Sequence, residues 1–553
     1  MLDWLQQKLG QRTGHAMNSP AEAARLLAEL PLDEPLKAVE EVAAWLESLA
    51  QATSSSTGSR LKVISMVDEA GQPCAEMLMT NYLAGEARRA AGRFQEWQAL
   101  MDFWERLSDA YQLIALQIEL NQRGELAEQV ALVAVRGMRA VSMQMRLGLM
   151  RYAGDAERLW KAFYRLYSLS HAQRRAAVPV RPYPWDTLTT TARVELVRAV
   201  MLEVAAPHSL PPREIELTAR IAAQLAGSFA YSEAPGQRFP LYLDLAQAHA
   251  PGTAPRDLKA TTTMRFFGPG ATPDRLKAML DGIRAPQPAT ADRLGQEFTT
   301  AEKIETVQRL ALYWSDHPPR RQHARARLSN GADVAFGLGA IKRLVRKLEQ
   351  PAFQGETDQL DKMNIELGAG EAKESTPEAH ATETWKLKDI SMNGLGAVTA
   401  RRAQGALKIG ALMAFRVDGA GKWGVGIVRR LQLDAQSNSH VGVEILSRDP
   451  RLLWLKKLGL KHDEAWAWEM SDKKSLQFLT QAVLLSSGAE AAGDNSLLFE
   501  PDSYVPEEAF GTMIGNQPRR LQVGEVLERG DGFERLAFKW LEGQESPASP
   551  SIV

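Results

Sequence analysis

The stretch from residue 320 to residue 327 is chemically suggestive, because it places four arginines within eight positions. An arginine guanidinium is planar, forms paired hydrogen bonds with a phosphate or with O6 and N7 of guanine, and stacks on a base. Arg320, Arg321 and Arg325 are therefore candidate contacts for an anionic ligand that contains a base. A solvated surface cluster is the common alternative for such a run of charge.

A second stretch whose side chains could contact a ligand begins at Asp389 and has the pattern acid-x-hydroxyl-x-x-glycine. The carboxylate of Asp389 can accept hydrogen bonds from the N–H edge of a base, and the hydroxyl of Ser391 can add a further contact. Gly394 allows a close approach of the backbone to a ligand, or a positive φ angle. Taken alone, this pattern is also typical of an ordinary turn.

Together the two stretches resemble the PilZ family, whose members are bacterial receptors for the second messenger cyclic di-GMP. The family's Arg-x-x-x-Arg signature matches Arg321 to Arg325, and its Asp/Asn-x-Ser-x-x-Gly signature matches Asp389 to Gly394, in the same order. The run from Gly442 to Leu446 is also similar to a later strand of that family. The resemblance covers about residues 318–450.

The resemblance implies a set of contacts with cyclic di-GMP. Arg321 and Arg325 hold phosphate and guanine in such a site, and Arg320 is an additional contact. Three further positions line the base pocket, namely Asp389, Ser391 and Gly394. In the family, the arm that precedes the barrel rearranges when the ligand binds. No metal and no cofactor other than this ligand is expected.

The sequence departs from the family pattern by a long insertion, residues 341–384, between the two signatures. The insertion begins with a basic, helix-forming run at residues 341–348. From residue 354 it continues as a polar stretch rich in Glu, Thr, Ala and Gly. This composition predicts a flexible loop, either far from the pocket or covering it.

Short strands are predicted to position these side chains. Between residues 318 and 450, β-branched and apolar runs alternate with Gly-rich turns, which predicts a small antiparallel barrel. Residues 451–475 are interpreted as a helical linker. The strands beyond it, with a hairpin at residues 530–532, predict a second small β unit within residues 451–543. Residues 544–553 are expected to be a frayed tail.

The N-terminal part, residues 1–225, is predicted to be all helical, as a bundle or an irregular solenoid, because apolar residues recur with a period of 3.6. Its first helix is predicted at the capping box that starts at Ser19. Aromatic stripes, such as Trp160 to Tyr167, are interpreted as packing between helices. Residues 226–317 are predicted to be a mixed connecting region with short strands, ending in a helix that is capped at Thr299.

Composition and the absence of certain motifs exclude several classes of protein. The chain has 66 Lys+Arg against 67 Asp+Glu, a balance that does not indicate a DNA-binding protein. Its single cysteine cannot form an internal disulfide. Gly394-Leu395-Gly396 lacks the third glycine and the following helix of a dinucleotide fingerprint. Neither a signal peptide nor a membrane-spanning run is visible, so a cytoplasmic location is expected.

The sequence therefore predicts a multidomain α+β chain in which a helical region precedes a PilZ-like barrel and a second β unit. The function that fits is a non-catalytic cytoplasmic effector, which binds cyclic di-GMP and relays its level to a protein partner through the helical region. The alternative is a degenerate PilZ scaffold that does not bind the messenger. An enzyme with an unrecognised site in residues 1–300 is a third option, with no residues to nominate.

Overall fold

The computed structural model describes residues 17, 19–51, 56–84, 90–120, 126–152, 156–285, 294–319, 325–349, 382–400, 407–434, 436–458, 479–486, 495–514 and 517–541. The chain divides into two compact units, Met1–Arg320 and Arg321–Val553. The predicted multidomain α+β class is confirmed, with helices first and antiparallel barrels after them. Arg320, Arg321 and the polar stretch from residue 354 to residue 381 lie outside the described residues.

The first unit begins with a succession of α-helices that share one hydrophobic core. These helices are α1 (Pro20–Leu27), α2 (Pro35–Gln51), α3 (Thr57–Ala84), α4 (Ala90–Leu120), α5 (Val130–Met150), α6 (Ala156–Ala172), α7 (Ala192–Val204) and α8 (Pro212–Leu225). The Ser19 side chain accepts a hydrogen bond from the backbone N–H of Glu22, so the predicted cap is present. Trp160 and Tyr167 are buried in the core, as the packing interpretation predicts, whereas Phe94 is 46% exposed.

A small antiparallel sheet follows the helices, within the region that the sequence predicts to be mixed. Its order is β1-β4-β2-β3. Its strands are β1 (Ala230–Ser232), β2 (Leu241–Asp244), β3 (Gly252–Thr253) and β4 (Met264–Gly268), and two helices follow, α9 (Thr272–Arg284) and α10 (Thr300–Tyr313). Thr299 and Glu302 form the predicted capping box of α10. Just after that helix, the Trp314 indole donates to the carbonyl of Met201 at 2.9 Å, which ties this region to α7.

A buried polar cluster crosses the helical core. Asp68 is fully buried and accepts hydrogen bonds from the hydroxyls of Tyr111, at 2.7 Å, and Tyr183, at 3.3 Å. The guanidinium of Arg136 lies 3.6 Å from the same carboxylate and donates to the carbonyl of Pro182 at 2.6 Å. Burial raises the pKa of Asp68, and the charge of Arg136 opposes that rise. The cluster thus fastens the loop around Pro182 to α3 and α5.

Glu203, near the end of α7, is expected to make the first unit less stable at high pH. Burial raises its pKa from 4.5 to about 7. Because the native state then holds a proton that the unfolded chain has lost, stability falls as the pH rises from 4.5 to about 7. Glu203→Gln should raise the unfolding free energy at pH 8 by on the order of 1–3 kcal/mol, and hardly at pH 4.

Urea unfolding at the two pH values measures this effect. Glu76→Gln, at an exposed position on α3, is the matched control and should show no such pH-dependent gain. An equal gain for Glu203→Gln at pH 4 and pH 8 would contradict the assignment.

The second unit contains two closed six-stranded antiparallel barrels. The short strand β5 (Ala326–Arg327) precedes the first barrel, whose six strands are β6 (Gly331–Phe336), β7 (Glu383–Ile390), β8 (Gly394–Ala400), β9 (Leu412–Val417), β10 (Gly424–Leu433) and β11 (Asn438–Ser447). The ring of this barrel runs β7-β6-β9-β10-β11-β8 and closes through the pairing of β7 with β8, while β5 pairs with the last two residues of β7. The predicted barrel is therefore present.

The second barrel confirms the expected C-terminal β unit. Its strands are β12 (Arg451–Lys457), β13 (Thr480–Leu485), β14 (Ser496–Phe499), β15 (Ala509–Ile514), β16 (Gln517–Gly530) and β17 (Phe533–Leu541). They close in the order β12-β13-β14-β17-β16-β15. The predicted hairpin is the β16–β17 pair, which turns at Asp531 and Gly532.

The structure differs from the sequence-based prediction at the start of the expected helical linker. Arg451–Lys457 is strand β12, paired with β13 and β15. Leu453 and Leu455 point into the core of the second barrel, while Leu452 joins a different cluster. The leucine-rich run favours a helix locally, but two separate cores take its alternate faces, and this tertiary packing overrides the propensity. Residues 459–478 lie outside the described part.

One helix of the insertion joins the two barrels. α11 (Leu338–Glu349) contains the basic run predicted to be helical, and its Ile341 and Val345 are buried in a cluster that also contains Val425 of β10 and Leu498 of β14. Arg429 of β10 adds a polar link, because it donates to Glu444 of its own barrel and to Glu528 of the second barrel. The two barrels therefore share both apolar and charged contacts.

Candidate ligand-binding site on the first barrel

The short strand β5 pairs with β7 and places Arg325 beside Asp389. Ala326 pairs with Ile390, and Arg327 pairs with Asp389. The residue before β5, Arg325, donates from Nη1 to Oδ1 of Asp389 at 2.5 Å. The two side chains are 33% and 27% exposed, so the ion pair lies at the surface of the barrel. Residues from the two stretches singled out in the sequence thus meet in space.

The turn that follows β7 holds the other two predicted residues. The backbone N–H of Ser391 donates to the carbonyl of Gly394 at 2.7 Å, and the Ser391 hydroxyl donates to the same oxygen at 3.3 Å. A β-carbon at Gly394 would lie 3.3 Å from Ser391 Oγ and 3.9 Å from Nη2 of Arg325. Glycine at this position therefore keeps open the space between the hydroxyl and the guanidinium.

The structure brings four of the six predicted residues into one site. These residues are Arg325, Asp389, Ser391 and Gly394. Arg320 and Arg321 lie outside the described residues, so their part in the site stays a prediction. The site offers one cation, one carboxylate and one hydroxyl at the solvent, a set that suits a ligand with both anionic and N–H donor groups.

Sequence reasoning missed Gly396, whose lack of a side chain shapes the site. A β-carbon there would lie 2.6 Å from Oδ1 and 2.9 Å from Cγ of Asp389, both too close for real contacts. Only glycine therefore lets the carboxylate lie down against β8. The signal in the sequence is the pair of glycines in Gly394-Leu395-Gly396.

Sequence reasoning also missed Arg448, just after β11. Its Nη2 donates to the backbone carbonyls of Ser391, at 2.8 Å, and Met392, at 3.1 Å. These bonds fix the turn that presents the Ser391 hydroxyl. An arginine 57 positions away in sequence gives no local signal of this role.

A chain of polar groups runs beside the site. Nζ of Lys388 lies 3.1 Å from Nδ1 of His440, and Nε2 of His440 lies 3.0 Å from the Asp434 carboxylate. Desolvation acts to raise the pKa of Asp434, but hydrogen bonds from the Asn438 backbone N–H and from His440 outweigh it and lower the pKa to about 2. Asp434 is thus ionised at neutral pH and orients the imidazole.

In the described part of the chain, no group of three or more His, Cys, Asp or Glu side chains is placed to hold a metal ion. Among the same residues, no helix combines the length and the apolar character needed to cross a membrane.

Comparison with known families gives a match in the other half of the chain. Residues 21–235 match the family described as the N-terminal domain of the cyclic-di-GMP receptor FimW. This part of the first unit is similar to a cyclic-di-GMP receptor domain. The matched range runs from the second residue of α1 through α8 and β1, and it ends before the barrels. No curated protein matches the chain.

Proposed function

We propose that this chain is a non-catalytic, cytoplasmic receptor for cyclic di-GMP. Its first barrel holds the ligand, and its helical region transmits the ligand's presence to a protein partner. The observation that carries the proposal is the ion pair between Arg325 and Asp389, next to Ser391 and Gly394. The likeness of residues 21–235 to a domain of a receptor named for the same ligand supports it from a separate part of the chain.

The chemistry of the site fits the two kinds of group in the ligand. Asp389 accepts from the N–H edge of a guanine, while Arg325 turns from Asp389 to a phosphate or to guanine O6 and N7. Ser391 adds a hydroxyl contact, and Gly394 admits the ligand close to the backbone. Arg320 and Arg321 supply further positive charge from the arm, following the PilZ resemblance.

The ion pair also sets the free energy that the ligand must supply. A surface pair of this kind contributes about 0–1 kcal/mol, so exchanging Asp389 for a phosphate as the partner of Arg325 costs little. Asp389, once released, is available to a guanine. The unliganded site is thus kept in order by an interaction that is weak enough to be replaced.

Isothermal calorimetry of the full chain with cyclic di-GMP tests the proposal. Saturable binding with a Kd at or below the micromolar range is expected, together with a rise in the melting temperature. Absence of both heat and thermal shift, at ligand concentrations well above micromolar, would overturn it. Calorimetry with GTP at the same concentrations checks that the response is not a general response to nucleotides.

Gly396→Ala is expected to weaken cyclic di-GMP binding without unfolding the barrel. The new methyl group collides with the Asp389 carboxylate and pushes it off the floor of the site. Loss of one well-placed hydrogen-bonding group corresponds to about 1–3 kcal/mol, or about a 5-fold to 150-fold rise in Kd. Calorimetry measures this rise.

Gly421→Ala is the matched control, because a β-carbon at that position meets nothing within 4 Å. It should bind as tightly as the unchanged protein. Equal affinity of Gly396→Ala and Gly421→Ala would show that the orientation of Asp389 does not matter for binding.

A scaffold that does not bind the messenger is the second candidate. The observation that favours it is that Arg325 and Asp389 already satisfy each other, as residues of an inert surface do. In that case, affinity capture with the full chain returns the same partners with and without cyclic di-GMP. A set of partners that changes with the ligand favours the receptor.

A further inference from the structure

A row of four residues crosses the outer surface of the first barrel and starts at the proposed site. Asp389 of β7 is opposite Gly396 of β8, Gly396 is opposite Gly442 of β11, and Gly442 is opposite Arg430 of β10. The four residues are neighbours across four adjacent strands. Since strands lie about 4.8 Å apart, the row spans about 14 Å from Asp389 to Arg430.

The two central positions of the row are both glycines, so neither contributes a side chain between its ends. A β-carbon at Gly396 would collide with the Asp389 carboxylate, and one at Gly442 would lie 3.1 Å from Cβ of Arg430. The floor between the two ends is therefore glycine backbone, with the Asp389 carboxylate lying over Gly396 and Arg430 beside Gly442. A planar base can approach the Gly442 end of this floor closely.

Two β-bulges enrich the ends of this floor with polar side chains. The register of β7 against β8 shifts between Leu387 and Asp389, and that of β10 against β11 shifts between Val428 and Arg430. Each bulge places two residues opposite one. Lys388 is thereby added next to Asp389, where its Nζ reaches the His440 ring on β11.

The two halves of the ligand leave one half to be bound outside the Arg325–Asp389 site. Cyclic di-GMP consists of two identical halves, each with one phosphate and one guanine. Arg325 and Asp389 serve only one half. Arg430 is exposed at the other end of the row, and its Nη2 donates to Gln432 of its own strand at 3.1 Å, a weak surface contact that a ligand can replace.

We propose that the ligand lies along this row, with one half at Arg325 and Asp389 and the other half above Gly442 and against Arg430. Arg430 then holds the second guanine or phosphate with its planar fork. This inference rests on the proposed function and adds to it a second binding end, which lies outside both sequence signatures.

Calorimetry of the full chain with cyclic di-GMP tests the inference through Arg430→Ala. Loss of a bidentate arginine contact is expected to raise Kd about 10-fold to 100-fold. Gly442→Leu, which places a side chain on the floor, should weaken binding in the same range. Arg519→Ala removes the same charge from an exposed position on the second barrel and should leave Kd unchanged.

The outcomes separate this inference from the proposed function. If the unchanged protein binds and Arg430→Ala binds equally well, the second end is wrong and the receptor function stands. If the unchanged protein does not bind cyclic di-GMP, the proposed function fails and the inference falls with it. A melting temperature of Arg430→Ala equal to that of the unchanged protein shows that the loss of binding is not a loss of fold.

Discussion

Arg325→Ala is expected to abolish measurable cyclic di-GMP binding and to leave the barrel folded. Removing one partner of a charged contact in a binding site costs about 2–5 kcal/mol of binding free energy, or about 30-fold to several thousand-fold in Kd. The cost to stability is small, because the pair with Asp389 is partly exposed and such pairs contribute about 0–1 kcal/mol. Calorimetry and thermal melting of the same sample measure the two effects.

Two control variants sharpen this prediction. Arg325→Lys keeps the charge but loses the planar fork, so its affinity should lie between those of the unchanged protein and Arg325→Ala. Arg519→Ala should bind normally. If Arg325→Ala binds cyclic di-GMP with unchanged affinity, the ion pair with Asp389 is only a surface contact and the first barrel is not the receptor site as described.

Asp68→Ala is expected to destabilise the helical unit by about 3–5 kcal/mol, since it leaves the buried charge of Arg136 without its buried partner. Asp68 is 0% exposed and Arg136 is 3% exposed. The hydroxyls of Tyr111 and Tyr183 lose their acceptor at the same time. Urea unfolding, followed by far-UV circular dichroism, measures the change because this unit holds most of the described helices.

Glu69→Ala provides the comparison for this cluster. Glu69 also accepts from Arg136, at 2.6 Å, but its side chain is 30% exposed, so water can replace the contact. Its loss should therefore cost about 1 kcal/mol or less. If Asp68→Ala costs no more than Glu69→Ala, the buried cluster does not contribute to stability in the way proposed.

The turn of the candidate site could be predicted from the sequence, because its signal is local. The spacing from Asp389 to Gly394 defines a turn whose hydrogen bonds involve neighbouring residues, and the structure contains that turn. The meeting of Arg325 with Asp389 is not local, since 64 positions separate them. That prediction came from the family resemblance, and the pairing of β5 with β7 provides its physical basis.

The parts that could not be predicted depend on register and on tertiary packing. The row from Asp389 to Arg430 exists only because two bulges and three strand pairings bring its members into line. Arg448 holds the turn by donating to backbone carbonyls, and because every residue has such a carbonyl, the sequence does not identify the acceptors. Strand β12 is predicted from the sequence as part of a helix. Its leucines divide between two hydrophobic cores, and the periodicity of the sequence does not show which core each leucine enters.

In the helical unit, the helices could be predicted from the sequence and the buried polar contacts could not. Periodicity and capping predict its helices, since amphipathic stripes and caps are local features. Its buried cluster around Asp68 could not be predicted, because the sequence around a single acidic residue in a helix does not identify a partner on another helix. Its likeness to a receptor domain was also missed, since the unit carries no ligand motif that spacing alone reveals.

Hydrogen exchange of the full chain, with and without cyclic di-GMP, tests whether the first barrel binds the ligand. Slower amide exchange is expected in residues 389–396 and 440–444, where the site and the glycine floor lie, and unchanged exchange in β16 and β17 of the second barrel. Ligand binding that leaves residues 389–396 unprotected and protects only the helices of residues 20–225 would show that the first barrel is not the binding site.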